Sequence, residues 1–184
     1  MKTVCVILAD ACEEVEAITP IDWLRRAGLS VSIAGLNKRE VKGVHDIVIG
    51  ADVLLDNIDN SNFDCIVIPG GKGAEAIAKN PVAIAMIKRL SSRGSLIAAI
   101  CAAPALVLGQ ACGLLKGRRF TCYPGMENLV PEGRFEASRV VADGDLITAR
   151  GPGCAVEFSL AIVQALLGAS KAKELASQTL SLGF

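Results

Sequence analysis

Read by where its apolar residues fall, the chain alternates between two kinds of segment. The run TVCVILA at 3–9 is continuously apolar and β-branched, as parallel strands covered on both faces are. In EEVEAITPIDWLRRAG, Val15, Ile18, Ile21 and Leu24 recur every third residue, with acids at the front and arginines at the back. That predicts a helix, stopped by Gly28 and bent at Pro20, whose ring removes a backbone donor. LSVSIAGL predicts the second strand, residues 41–55 a hairpin or edge excursion, and FDCIVIPGG a central strand ending in a glycine pair. AIAMIKRLSSRG predicts a helix, SLIAAI a strand and AAPALVLGQACGLL a helix. DLITARGPG predicts a strand and turn, and CAVEFSLAIVQALLG an amphipathic helix that Gly168 ends. The alternation implies a doubly wound α/β domain, mostly parallel sheet, with helices on both faces.

In such sheets ligands bind beyond the carboxyl ends of the strands, which singles out the loops ADACEEVE, PGGKGAE, CAAP and RGPG. Cys101 sits at the corner between the Leu96 to Ile100 strand and the helix that follows. A residue there is held on a tight turn beside the unpaired donors of a helix N-terminus, which predicts a stabilised thiolate of lowered pKa. Against this stands burial as a small hydrophobe, the reading given to Cys5 and Cys65; placement favours the reactive role. Gly70 and Gly71 let backbone N–H groups come close, and an oxyanion hole would combine the amides of Gly71 and Ala102. Glu13 and Glu14 are explained by the helix dipole, whereas Glu16 is expected to face the crevice, protonated, and to relay protons. The one histidine, His45, lies on the excursion and reads as a surface or interface residue, which disfavours a cysteine–histidine protease.

Composition narrows the classes further. At 184 residues, with 52% apolar and 21% charged, the chain fits one domain over 1–184 with a substantial core. Zero net charge and the lack of a dense basic cluster argue against nucleic acid. The seven cysteines are odd in number and scattered, the usage of reduced thiols, and a single histidine leaves no ordinary zinc spacing, so no metal is expected. The N-terminus has acids at Asp10 and Glu13 in place of a leader, which predicts a cytoplasmic protein. The uncharged stretch 94–115 is long enough to span a bilayer, but Pro104 and Gly109 interrupt it and its first part reads as a strand, so no membrane role is expected.

The segments EEVEAITPIDWLRRAGL, IVIPGGKGAE, AAICAAPALVL and ITARGPGCAVEFSLAIVQAL, in that order and spacing, resemble the DJ-1/ThiJ/PfpI superfamily over nearly the whole chain, close to its DJ-1/YajL branch. The resemblance implies a flavodoxin-like fold, akin to class I glutamine amidotransferases, and a homodimer. It also implies no cofactor, and a functional Cys101 beside a protonated Glu16. It further implies that Cys101 oxidises to a sulfinate held by Glu16 and by the amides of Gly71 and Ala102. The activities it implies are glutathione-independent conversion of methylglyoxal and related aldehydes, the glyoxalase III reaction, together with deglycation and a role in oxidative stress. The alternative is a redox-sensing chaperone governed by oxidation of Cys101. Three departures stand out. Tyr123 in TCYPG replaces the family's histidine, and PGGKGAE is one residue shorter than the pattern of close relatives. His45 falls where relatives carry an arginine, making His45, Asp22 and Arg26 the expected dimer-interface residues.

Overall fold

A computed structural model describes residues 1–181, so the last three residues of the domain expected over 1–184 lie outside the described residues. In chain order the elements begin with β1 (Thr3–Leu8), α1 (Glu14–Arg26), β2 (Ser30–Gly35), β3 (Glu40–Lys42), β4 (Val48–Gly50) and β5 (Val53–Leu54). There follow β6 (Cys65–Ile68), α2 (Gly73–Lys79), α3 (Pro81–Ser92) and β7 (Leu96–Ile100). A wide helix occupies Pro104–Ala111, and its end is marked by an i to i+5 bond from Cys112 N to Val107 O of 2.9 Å. The chain closes with β8 (Arg119–Phe120), β9 (Arg134–Phe135), β10 (Val140–Asp143), β11 (Leu146–Ala149), α4 (Ala155–Leu167) and α5 (Ala169–Gln178).

Seven strands form one sheet in the order β10-β11-β7-β6-β1-β2-β5, parallel throughout except where β10 runs against β11. The alternation along β1 shows why the run is continuously apolar: Val4, Val6 and Leu8 pack on one face, Cys5 and Ile7 on the other. The first face is covered by Ile21 and Leu24 of α1, Phe158 and Val163 of α4 and Leu175 of α5. The second is covered by Ile77 of α2, Ile87 and Leu90 of α3 and Leu108 of the wide helix. Each fully buried leucine or isoleucine contributes about 1.5–3 kcal/mol, so both layers are needed to hold the strands.

Helix α1 forms, but its buried face does not follow its apolar spacing. Glu14, Glu16, Ala17, Pro20, Ile21 and Leu24 face inward, whereas Val15 is 49% exposed and Ile18 45%. The cause is geometric: three residues advance about 300°, so a three-residue series slips back by about 60° a step and crosses the helix in three steps. Val15 and Leu24 therefore lie on opposite sides. The excursion is a β3–β4 hairpin, after which β5 rejoins the main sheet as its edge beside β2. Helices α2 and α5, the β8–β9 pair and the antiparallel β10 carry no signal in the pattern; each is short or has few apolar positions.

Candidate active site

The carboxyl ends of β1, β6, β7 and β11 gather the loops singled out from the sequence. Cys101 follows β7 directly and has φ +65°, a conformation an L-residue adopts at a cost of roughly 1–3 kcal/mol. Two backbone bonds hold it there: Cys101 N–H donates to Ala149 O at 2.9 Å, and Tyr123 N–H donates to Cys101 O at 2.8 Å. The corner is fixed from both sides. The residue is only 8% exposed.

Gly70 supplies the link to Glu16. Its N–H donates to Glu16 Oε2 at 2.8 Å, and that carboxyl is fully buried. A Cβ on Gly70 would come within 2.5 Å of Cys101 Cβ, 2.7 Å of Glu16 Oε2 and 3.0 Å of Ala102 N, so thiol, acid and helix amide converge on one point. Gly71, at φ +75°, bridges to Cys12, and the backbone amides of Gly71 and Ala102 lie near enough to the Cys101 sulfur to favour its anion.

The electrostatics correct one expectation. Burial pushes the Cys101 thiol up to about 12, an ionised Glu16 adds to the rise, and the Gly71 and Ala102 amides only partly offset it. The elbow does not by itself lower this thiol. Burial raises the Glu16 carboxyl to about 7, against the Gly70 N–H and the thiol, which favour the anion. Its Oε1 is buried without a hydrogen-bond partner. An orphaned carboxyl oxygen beside a thiol is the place for a proton, and with Glu16 neutral the repulsion that opposes a thiolate disappears.

The remaining candidates are spread around this centre. Tyr123 is 49% exposed, and a Cβ on Gly151 would lie 3.6 Å from its ring, so it forms part of the outer wall. Thr148 Oγ1 accepts from Thr121 N–H at 2.9 Å and ties the segment before Tyr123 to β11. Asp22 and Arg26 form an exposed one-turn ion pair of 2.6 Å on α1, away from Cys101. His45 lies in the hairpin turn, its Nδ1 2.9 Å from Glu14 Oε2. Glu14 is therefore more than a dipole partner: it is buried, accepts His45 N–H at 2.6 Å, and fastens the hairpin to α1. The adjacent Glu13–Glu14 pair was its only trace in the sequence.

With this geometry in place, comparison with known proteins is specific. The family described as "DJ-1/PfpI family" matches residues 2–165. Arabidopsis thaliana "Protein DJ-1 homolog B" is 42% identical over 179 residues, which is 96% of this chain and 41% of that protein. The chain thus spans less than half the length of that relative. Caenorhabditis elegans "Glutathione-independent glyoxalase DJR-1.2" is 36% identical over 177 residues, 95% of this chain and 94% of that protein. The structure of oxidised Toxoplasma gondii DJ-1 superposes with a TM-score of 0.96 at 37% identity, covering 100% of both chains. The fold is the flavodoxin-like α/β fold of the glutamine amidotransferase class, with its mostly parallel sheet between two helical layers.

Proposed function

We propose that this chain, which belongs to the DJ-1/PfpI family, is a cysteine-dependent, cofactor-free glyoxalase acting on methylglyoxal and related small aldehydes. The observation that carries the reading is the buried carboxyl of Glu16, one oxygen of which has no hydrogen-bond partner, beside a thiol held at positive φ. A relative covered over most of its length that bears the name of a glutathione-independent glyoxalase supports it.

In this reaction the Cys101 sulfur bonds to the aldehyde carbon while the aldehyde oxygen takes up a proton, giving a hemithioacetal. Glu16 removes the hydrogen from that carbon and returns a proton to the neighbouring one as the electron pair shifts. One carbon is oxidised and the other reduced, so no external oxidant or reductant is needed. The product is a lactyl thioester; water breaks its C–S bond, releasing lactate and restoring the thiol. A carboxyl near 7 can both take and give the proton at neutral pH. The N–H groups of Gly71 and Ala102, which favour the anion at the sulfur, would also stabilise negative charge on the oxygen bonded beside it.

The test is lactate formation from methylglyoxal without glutathione. Cys101→Ala should abolish it and Glu16→Gln should lower kcat by about 10²- to 10⁴-fold; turnover at the parent rate by either variant overturns the mechanism.

A homodimer fits the same chain. Val15 and Ile18 on α1, with Val44, Ile47 and Val48 on the hairpin, are large apolar residues between 40% and 61% exposed on adjoining elements. A second copy covering them would place Asp22, Arg26 and His45 at the margin. Ile47→Asp should shift the light-scattering mass from two chains to one; an unchanged mass removes this face as the contact.

A further inference from the structure

We infer that Glu13, Glu14 and His45 form a binding site for a divalent transition metal of the zinc class, where the start of α1 meets the β3–β4 hairpin. The inference is independent of the reaction at Cys101. One imidazole nitrogen and two carboxylate oxygens lie within 4.8 Å of one another, the one such group among the described residues. His45 Nδ1 stands 2.9 Å from Glu14 Oε2 and 3.7 Å from Glu13 Oε1, so the imidazole lies against both carboxylates.

The donor set decides the class of ion. A nitrogen with two carboxylates suits zinc and its neighbours, whereas magnesium and calcium favour oxygen alone. Two carboxylates also neutralise a divalent charge. Three protein donors leave a coordination position for water, and in the single chain the His45 side chain is 68% exposed.

The site is built rather than incidental. Glu14 Oε1 accepts the His45 N–H at 2.6 Å, which orients Oε2 towards the imidazole, the kind of outer contact that fixes a ligand. A Cβ on Gly43 would fall 2.2 Å from Glu14 Oε1, so the hairpin has room for this carboxylate only because residue 43 has no side chain. Glu13 is anchored through its N–H to Gly70 O at 3.2 Å. Sequence spacing could not reveal the site, because Glu14 and His45 are 31 residues apart and the hairpin brings them together.

The experiment titrates zinc chloride into metal-free full-length Cys101→Ala protein, which removes the reactive thiol as a competing ligand, followed by calorimetry. One ion per chain is expected, and adding His45→Ala or Glu13→Gln should weaken binding at least about tenfold. Glu14 is left intact because it fastens the hairpin, and thermal unfolding confirms that each variant is folded. Cobalt(II) provides a second readout: its visible absorption should change on His45→Ala. Absence of stoichiometric binding, or equal affinity in both variants, overturns the site and leaves the three residues as an ion-paired cluster.

Discussion

The two ends of the central sheet are furnished in opposite ways. At the amino end, Lys2, Asp64, Ser95 and Asp145 line a cleft of about 620 Å³, and the charges of Lys2, Asp64 and Asp145 are answered by neighbours. Lys2 Nζ meets Asp64 Oδ1 at 2.7 Å, Thr3 N–H donates to Asp64 Oδ2 at 2.8 Å, and Arg118 reaches Asp145 at 2.8 Å. At the carboxyl end, Glu16 buries an oxygen without a partner and Cys101 holds a left-handed backbone. Volume marks the first end and unsatisfied chemistry the second. The contrast teaches that reactivity should be sought where groups are kept from relaxing, not where there is most room.

Three perturbations sharpen that contrast, beyond the losses expected of Cys101→Ala and Glu16→Gln. The largest effect should come from Gly70→Ala, whose added carbon would press on Cys101 Cβ, Glu16 Oε2 and the Ala102 amide together. Lactate production should fall by roughly 10²-fold, because a displacement of about 1 Å at a reacting group is enough to do so. A variant as active as its parent would show that the site has slack.

Next is the response of stability to pH. Burial raises Glu16 from an ordinary 4.5 to about 7, so between those values the native state keeps a proton that the unfolded chain has released. The resulting stability is fully present below about 4.5 and lost as pH rises through about 7, a change of about 3 kcal/mol at most. Denaturant midpoints from pH 4.5 to 8 should therefore fall more steeply for the parent than for Glu16→Gln. Parallel curves would mean that this carboxyl is not held protonated.

The smallest effect belongs to the amino end. Asp64→Asn breaks a half-exposed ion pair with Lys2 and should cost about 1 kcal/mol or less in unfolding free energy, with lactate production unchanged. A drop in turnover would make the two ends interdependent.

Much of this architecture is legible in the sequence because it is written in local patterns. The strand runs of β1, β6 and β7 are apolar on both sides, and Cys101 stands where one of them stops and a proline-led helix starts. What local pattern cannot carry is rotation and partnership. The buried face of α1 does not follow its apolar spacing, because those residues drift around the helix, leaving Val15 and Ile18 outside and two glutamates inside. The thiol's raised value follows from burial and from the charge of Glu16, which depend on the loop holding Gly70 rather than on the elbow alone. Glu14 and His45 needed the hairpin to meet.

The backbone at Cys101 has one more consequence. Glycine adopts a φ of +65° without penalty, so residue 101 is a position where replacing the native side chain should make the protein more durable. A laboratory selection for heat endurance alone would favour Cys101→Gly and discard the chemistry in one step. Selection for turnover would keep the discomfort in place.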